Sequence, residues 1–295
     1  MVLEHAGLWV TLTVLSAIFL SIQRIIQKKV LFKDHASEYL TTMCLLAWIF
    51  LLPFISKIDL SLSLATWALL IFKSILVTVS WIAITRAYKH MEISTVEPLK
   101  NISPIFLLFS AMIFLREAPT LQQIFGVLLI IFSGYLLETF LHPKLFKNPL
   151  ALFRGKYVHY LIFAAFLAGI SGIFDKLILK EADALTTMFF MFFFSSIMLF
   201  LHQHFVYKGW SDVRSAFKRT GFMICAIVVI TLVSDWLYFT AVGLKDSYVS
   251  LIVPIRRVSS IFVILAGGEI FHEKSIIEKM LSCIIMLVGA YLIVA

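Results

Sequence analysis

The sequence predicts an all-α polytopic membrane protein, with ten transmembrane helices arranged as two inverted five-helix repeats. Three observations predict it. First, 61% of the 295 residues are hydrophobic and only 14% are charged, with a mean hydropathy of +0.99; one soluble core of this length cannot hide so much apolar surface. Second, the polar clusters cut the chain into ten apolar segments, each near the roughly 20 residues that span a bilayer as a helix. Third, the stretch from Lys89 to Leu137 lies without a gap on Lys245 to Ile293 at a constant offset of 156, with nine identical pairs over 49 positions. Those pairs are Lys89/Lys245, Ser94/Ser250, Pro98/Pro254, Ser103/Ser259, Ile105/Ile261, Phe106/Phe262, Glu117/Glu273, Tyr135/Tyr291 and Leu136/Leu292. Ten spans in two copies give five per copy, and an odd number makes the second copy enter the membrane from the opposite side.

The ten segments run from Gly7 to Ile26, Tyr39 to Ile55, Leu62 to Thr85, Ile93 to Leu115, Leu121 to Phe140, Tyr157 to Leu179, Leu185 to Phe205, Gly221 to Val242, Ser247 to Phe271 and Ile276 to Ala295. Lipid satisfies no backbone polar group, so they are helices; the alternating ten-residue strands of a membrane barrel do not occur. The first segment lacks a basic leader and a small-residue cleavage pattern before Gln23, so it reads as a retained span rather than a signal peptide. The repeat extends through the other helices with small gaps. Glu38 to Met43 matches Asp183 to Met188, Trp81 and Thr85 match Trp236 and Thr240, and Lys29 matches Lys176. The two repeats are expected over residues 1–141 and 157–295, joined by 142–156.

The best-defined pair is the fourth segment, Glu97-Pro98-Leu99-Lys100-Asn101-Ile102-Ser103, and the ninth, Val253-Pro254-Ile255-Arg256-Arg257-Val258-Ser259. Proline removes a backbone hydrogen bond and presses on the preceding turn. In a membrane the freed carbonyl is tolerated against protein or a watery cavity. Pro98 and Pro254 are therefore expected to kink their helices, and intramembrane charge beside both favours a cavity lining.

The segment from Ser94 to Glu117, followed by Gln122, Gly126 and Ser133-Gly134, resembles the EamA-type domain of the drug/metabolite transporter superfamily, and helix nine through Glu273, Lys279 and Gly289 resembles a second copy. The resemblance covers essentially the whole chain. It implies a permease in which helices one, three, four, six, eight and nine surround a central cavity. It also implies alternating access, export or exchange of a small molecule, and both termini in the cytoplasm. The basic residues disagree on orientation: the clusters at Arg24 to Lys33, Lys144 to Lys156 and Lys208 to Arg219 would place those loops in the cytoplasm and both termini outside.

A charge at mid-bilayer costs at least about 2.5 kcal/mol, so each needs a partner, a cavity or an interface. Candidates for substrate binding or coupling are Glu97, Lys100, Asn101, Asp175, Lys176, Asp235, Arg256 and Arg257, with Trp81, Trp236 and Tyr238 near them; Lys73 and Glu269 are further intramembrane charges. Glu97 is one turn from Lys100, whereas Asp175 and Lys176 point about 100° apart. Lys100 aligns with Arg256 and Asn101 with Arg257, and Lys29 and Lys176 add further positive charge to the central region. Such a site suits a carboxylate, phosphate or amino acid held by arginine forks. Two alternatives stand beside it: neutralisation of the arginines by Asp235, Asp175, Glu97 or Glu269, and snorkelling to an interface. A protonatable Asp235 or Glu269 would couple transport to a proton gradient; a permanently paired one would be structural. Glu117 and Glu273 sit where carboxylates cap helix N-termini. Gly126, Gly134 and Gly289 are expected at close helix contacts.

Expected partners are a small-molecule substrate, the lipid bilayer and a proton or counter-substrate, in a monomer in the bacterial inner membrane. The net charge of +8 is that of helix ends facing phospholipid, and no nucleic-acid role follows. Cys44, Cys225 and Cys283 lie at unrelated depths and suggest neither disulfides nor a metal cluster, and no cofactor is expected. Proton-driven multidrug or cation efflux is the alternative function, but the small multidrug-resistance branch relies on an acidic residue in its first helix and Gly7 to Ile22 contains none. A polytopic membrane enzyme is disfavoured because the histidines lie near helix ends and no HExxH or GxSxG pattern occurs.

Overall fold

The computed structural model describes residues 2–91, 96, 99–100, 102–141, 155–245, 247–270 and 276–294. Among these it contains eleven α-helices tracing ten spans. They are α1 (Val2–Leu31), α2 (Ala36–Leu51), α3 (Leu64–His90), α4 (Ser103–Ser110), α5 (Leu121–Leu141), α6 (Lys156–Ile178), α7 (Ala184–Val206), α8 (Trp210–Gly243), α9 (Val249–Arg256), α10 (Ser259–Ile270) and α11 (Ile276–Val294). A 3₁₀ turn, Leu52–Lys57, extends α2, and a π-helical turn, Ala111–Leu115, extends α4. Among the described residues six helices, α2 counted with its extension to Lys57, are long and apolar enough to cross a membrane. Helix α8 starts eleven residues before the predicted span, at Trp210 rather than Gly221, because it carries a polar first stretch with Arg214, Lys218 and Arg219.

The fourth and ninth spans are interrupted at matching positions. The chain turns at Ile102 before α4 begins at Ser103, and at Arg257–Val258 before α10 begins at Ser259. Pro254 lies inside α9, and the break comes just after it, where Arg257 N donates to the carbonyls of Val253 (3.1 Å) and Pro254 (3.0 Å). The missing proline N–H deprives the Ser250 carbonyl of its helical donor and loosens the turn that follows. Pro98 lies outside the described residues. In the fourth span the described proline at the break is Pro104, in the first turn of α4, where its absent N–H costs nothing.

Contacts follow a two-fold pattern between the repeats. Helix α1 packs along α8, and its counterpart α6 packs along α3; α2 meets α7, and α5 meets α11. The pattern reaches individual bonds. Ser234 Oγ donates to the Ser16 carbonyl (2.9 Å) between α8 and α1, and Ser80 Oγ donates to the Ala164 carbonyl (3.0 Å) between α3 and α6. These relate α1 to α6 at an offset of 148 and α3 to α8 at 154. The side-chain matches expected from sequence, Lys29/Lys176 and Trp81/Trp236, are each one residue out of this register.

Small residues set the closest approaches. A Cβ on Gly126 of α5 would sit 2.6 Å from the Gly289 carbonyl of α11. Likewise, a Cβ on Gly169 of α6 would sit 2.8 Å from Phe106 Cβ of α4. Two polar clasps complete the frame. Asp34, between α1 and α2, accepts from Arg219 Nε (2.7 Å) and the Thr220 hydroxyl of α8, and Arg219 also pairs with Glu38. Glu181, between α6 and α7, accepts from the hydroxyls of Thr66 (2.6 Å) and Ser63 (2.8 Å) at the start of α3, which hold its carboxyl below the usual glutamate range.

Candidate functional site

A cavity of about 190 Å³ lies inside the bundle. Its walls come from α1, α3, α6, α8 and α9 with Lys100 and Arg257 from the two breaks, and also from α2 (Leu40, Met43) and α7 (Met191). The last two helices were not expected to contribute. The lining obeys the two-fold register: Leu20, Gln23 and Gln27 of α1 correspond to Ala168, Ser171 and Asp175 of α6, while Val77, Trp81, Ile84 and Thr85 of α3 correspond to Thr231, Asp235, Tyr238 and Phe239 of α8. The frame is symmetric and the chemistry is not. The α3 wall carries an ammonium, an indole and two hydroxyls (Lys73, Trp81, Ser80, Thr85), whereas the α8 wall carries a carboxylate, a phenol and a hydroxyl (Asp235, Tyr238, Thr231).

Among the described lining residues, five side chains are cationic (Arg24, Lys73, Lys100, Arg256, Arg257) and two are anionic (Asp175, Asp235). Lys73 and Asp175 form an ion pair at 2.5 Å with 1% and 7% side-chain exposure. Their approach lies outside hydrogen-bond angles, so the attraction is ionic. The Lys73 ammonium also lies 4.1 Å from the centre of the Phe239 ring, and the Tyr238 hydroxyl donates to Asp175 Oδ2 at 2.8 Å. The Arg256 guanidinium lies 4.3 Å over the Tyr238 ring and donates through Nη2 to Asp235 Oδ1 (2.6 Å) and Ser234 Oγ (3.0 Å). One connected set of charges thus runs from α3 through α6 and α8 to α9.

The cations at the breaks are also placed by neighbours. Lys100 Nζ donates to the Tyr88 hydroxyl (2.7 Å), and Arg24 lies 5.5 Å over the same ring while donating to Gln27 Oε1 (3.0 Å). Arg257 Nη2 donates to Ser103 Oγ (2.7 Å), so the break of the second repeat is bonded to the break of the first. Trp81 faces the cavity, stacked against Phe192 at 5.9 Å.

Two sequence candidates point elsewhere. Trp236 is 49% exposed and borders a shallow depression between α8 and the α6–α7 turn; one residue from Asp235 along a helix is about 100° of rotation. Lys176 is absent from the cavity lining. Its ammonium is held by the carbonyls of Val242 (2.9 Å), Leu244 (2.9 Å) and Ser247 (2.7 Å) at the end of α8, a favourable place for a cation. Its counterpart is Lys28, which caps the end of α3 through the carbonyls of Tyr88 (2.5 Å) and Met91 (2.6 Å), while Lys29 is exposed. Glu97 and Asn101, like Glu273, lie outside the described residues, as does the Glu269 side chain. Sequence reasoning missed Arg24, Gln23, Gln27 and Thr231 as lining residues, and treated Lys73 only as a charge in need of a partner. Their signal was a polar stripe at three- and four-residue spacing, Gln23, Arg24 and Gln27, near the end of an otherwise apolar helix.

A profile of the EamA-like transporter family matches residues 7–139 and again 155–295. The chain belongs to the EamA-like transporter family. A solved crystal structure superposes on this EamA-like transporter with a TM-score of 0.67, covering 98% of this chain and 96% of the other at 11% identity, a likeness of fold. A riboflavin transporter, ImpX, of Fusobacterium nucleatum subsp. nucleatum is 29% identical over 114 residues, which span 39% of this chain and 37% of that protein. The chain is thus an integral, multi-pass membrane protein of a transporter family, built from two copies of the family's repeat.

Proposed function

We propose that the protein is a secondary active carrier for a small polar metabolite, anionic or amphoteric, which it moves by alternating access as residues 1–141 and 157–295 rock around the central cavity. The observation that carries this is the charge of the wall. Among the described lining residues cations outnumber carboxylates, and both carboxylates are already engaged by Lys73 and Arg256. In a low-dielectric setting a wall so rich in cationic side chains attracts an anionic group on the cargo. Guanidinium forks at Arg256 and Arg257, beside interrupted helices near the middle of the bundle, are suited to hold it. The carrier works as a monomer in the bacterial inner membrane, exporting or exchanging its cargo, with a proton or counter-substrate as coupling partner.

A second reading takes the cargo to be a flavin. The Fusobacterium relative's name favours it, as do Trp81, Tyr238 and Phe239 in the cavity wall, which offer ring faces to a planar molecule. The test for both is a thermal-shift screen of purified protein against organic acids, amino acids, sugar phosphates, riboflavin, flavin mononucleotide and cationic drugs, followed by flux of the hits in proteoliposomes. Ligands that bind the folded form raise its apparent stability. Acids or amphoteric compounds should stabilise the wild type, and flux should be abolished in Arg256→Gln and Arg257→Gln variants that still express. Stabilisation by cations alone, or unchanged flux in both variants, would remove the anion site.

A further inference from the structure

We propose that Asp235 is a resident stand-in for the anionic group of the cargo: it occupies Arg256 while the carrier is empty and is displaced when cargo enters. The inference rests on the anion-carrier reading above and assigns Asp235 a separate role within it.

Among the described residues, the Lys73–Asp175 and Arg256–Asp235 pairs differ in the way this role requires. Lys73 and Asp175 are almost wholly enclosed, and Asp175 is tied a second time by the Tyr238 hydroxyl, so the pair is fixed from two sides. Asp235 and Arg256 keep 13% and 16% side-chain exposure, and both line the cavity. The Arg256 guanidinium is positioned independently of Asp235, by the Tyr238 ring beneath it and by Ser234 Oγ. Its fork is only partly used: Nη2 makes the bonds to Asp235 and Ser234, while the buried Nε has no hydrogen-bond partner among the described residues. A positioned guanidinium with a buried donor to spare, facing a cavity and covered by one carboxylate, is a carboxylate-binding site with an internal occupant.

The two-fold frame shows that this pair is not demanded by the fold. In the register of α3 and α8, Asp235 corresponds to Trp81, which carries no charge, and Arg256 corresponds to Lys100, whose amine donates to Tyr88. The first repeat therefore builds the same helix contacts without an Arg–Asp pair.

Exchange of one carboxylate for another explains why the pair is useful. A bare guanidinium inside a bundle is strongly unfavourable, so an empty carrier with Arg256 uncovered would resist reorientation. With Asp235 in place the charge stays covered. An incoming acid takes over the fork, and the displaced carboxylate remains on a wall that also carries Arg24, Lys100 and Arg257. Asp235 thereby sets affinity by competition and excludes cargo that cannot match a carboxylate.

The test uses sodium acetate as probe, against sodium chloride at equal ionic strength, on purified full-length protein with thermal unfolding as readout. Removing the internal competitor in Asp235→Ala should tighten acetate binding by roughly tenfold or more, the factor that about 1.4 kcal/mol of lost competition gives. The gain should vanish in the Asp235→Ala, Arg256→Gln double variant. Asp235→Asn, which keeps shape and loses charge, should show the same direction and covers the case in which the alanine variant fails to fold. Equal acetate affinity in wild type, Asp235→Ala and Asp235→Asn, lost only with Arg256→Gln, would overturn the stand-in and leave the anion site intact. An acetate effect that survives in the double variant would also overturn it, because other cations would then hold the anion. Absence of stabilisation by acetate in every variant would overturn the stand-in, and failure of every acid in the broader screen as well would remove the anion site beneath it.

Discussion

Lys73 and Asp175 set the energetic stakes of single side chains in this bundle. Each is nearly inaccessible, and they come from different repeats, α3 and α6. Removing one partner of a buried pair strands a charge, at a cost of about 3–5 kcal/mol, whereas replacing both with neutral side chains of similar volume is often close to neutral. Lys73→Met and Asp175→Asn should therefore each lower the unfolding temperature markedly in detergent, and the double variant should recover most of the loss. A double variant as unstable as the worse single one would mean that packing around Phe239 and Tyr238, and not charge, holds the site. Tyr238 shows why such residues act together, since its hydroxyl serves Asp175 and its ring face serves Arg256. The intramembrane charges are legible in sequence as costly residues, and Asp235 is among the carboxylates expected to neutralise Arg256, as it does; the partner of Lys73 is not legible, because Lys73 and Asp175 are 102 residues apart in sequence and no local spacing joins them.

At the scale of helices, the interrupted spans depend on caps that come from elsewhere. Helix α9 begins at Val249, and its first amides donate to Glu117, which follows the π-helical turn after α4. Val249 N reaches Oε1 at 2.8 Å and Ser250 N reaches Oε2 at 3.0 Å, with the Ser250 hydroxyl on the same oxygen. The sequence suggests a capping or interhelical-turn role for Glu117 at the start of its own repeat's last helix; in the structure it caps a helix of the other repeat. Glu117→Ala leaves two buried amides without an acceptor, at about 1–3 kcal/mol each. The variant should unfold at lower temperature, with amide exchange accelerated first over residues 249–256; uniform acceleration across all helices would argue against a local cap. Apolar length sufficed to find the helices, because a span must be long and oily. Register was harder to read. Identical tryptophans at 81 and 236 and lysines at 29 and 176 invited alignments one residue away from the observed one, and in a helix one residue decides between cavity and outer face.

For the whole molecule, inversion of the repeats makes a prediction that does not depend on the cargo. The turn after α1 and the turn after α6 are equivalent within their repeats, each with a carboxylate that clasps the third helix of the other repeat: Asp34 to Thr220 and Glu181 to Thr66. With five spans per repeat, these equivalent turns lie on opposite faces of the membrane. Lys33 and Lys180 are exposed beside the two clasps, next to Asp34 and Glu181 respectively. In a background where Cys44, Cys225 and Cys283 are replaced by serine, Lys33→Cys should react with a membrane-impermeant thiol reagent from one side only, and Lys180→Cys from the other. Comparing intact cells with inside-out vesicles also assigns the faces. It therefore decides between the cytoplasmic termini implied by the family and the external termini implied by the basic loops. Labelling of both positions from the same side would require an even number of spans between them and would break the five-plus-five division, since the path from Lys33 to Lys180 then could not contain α2 to α6 as five crossings.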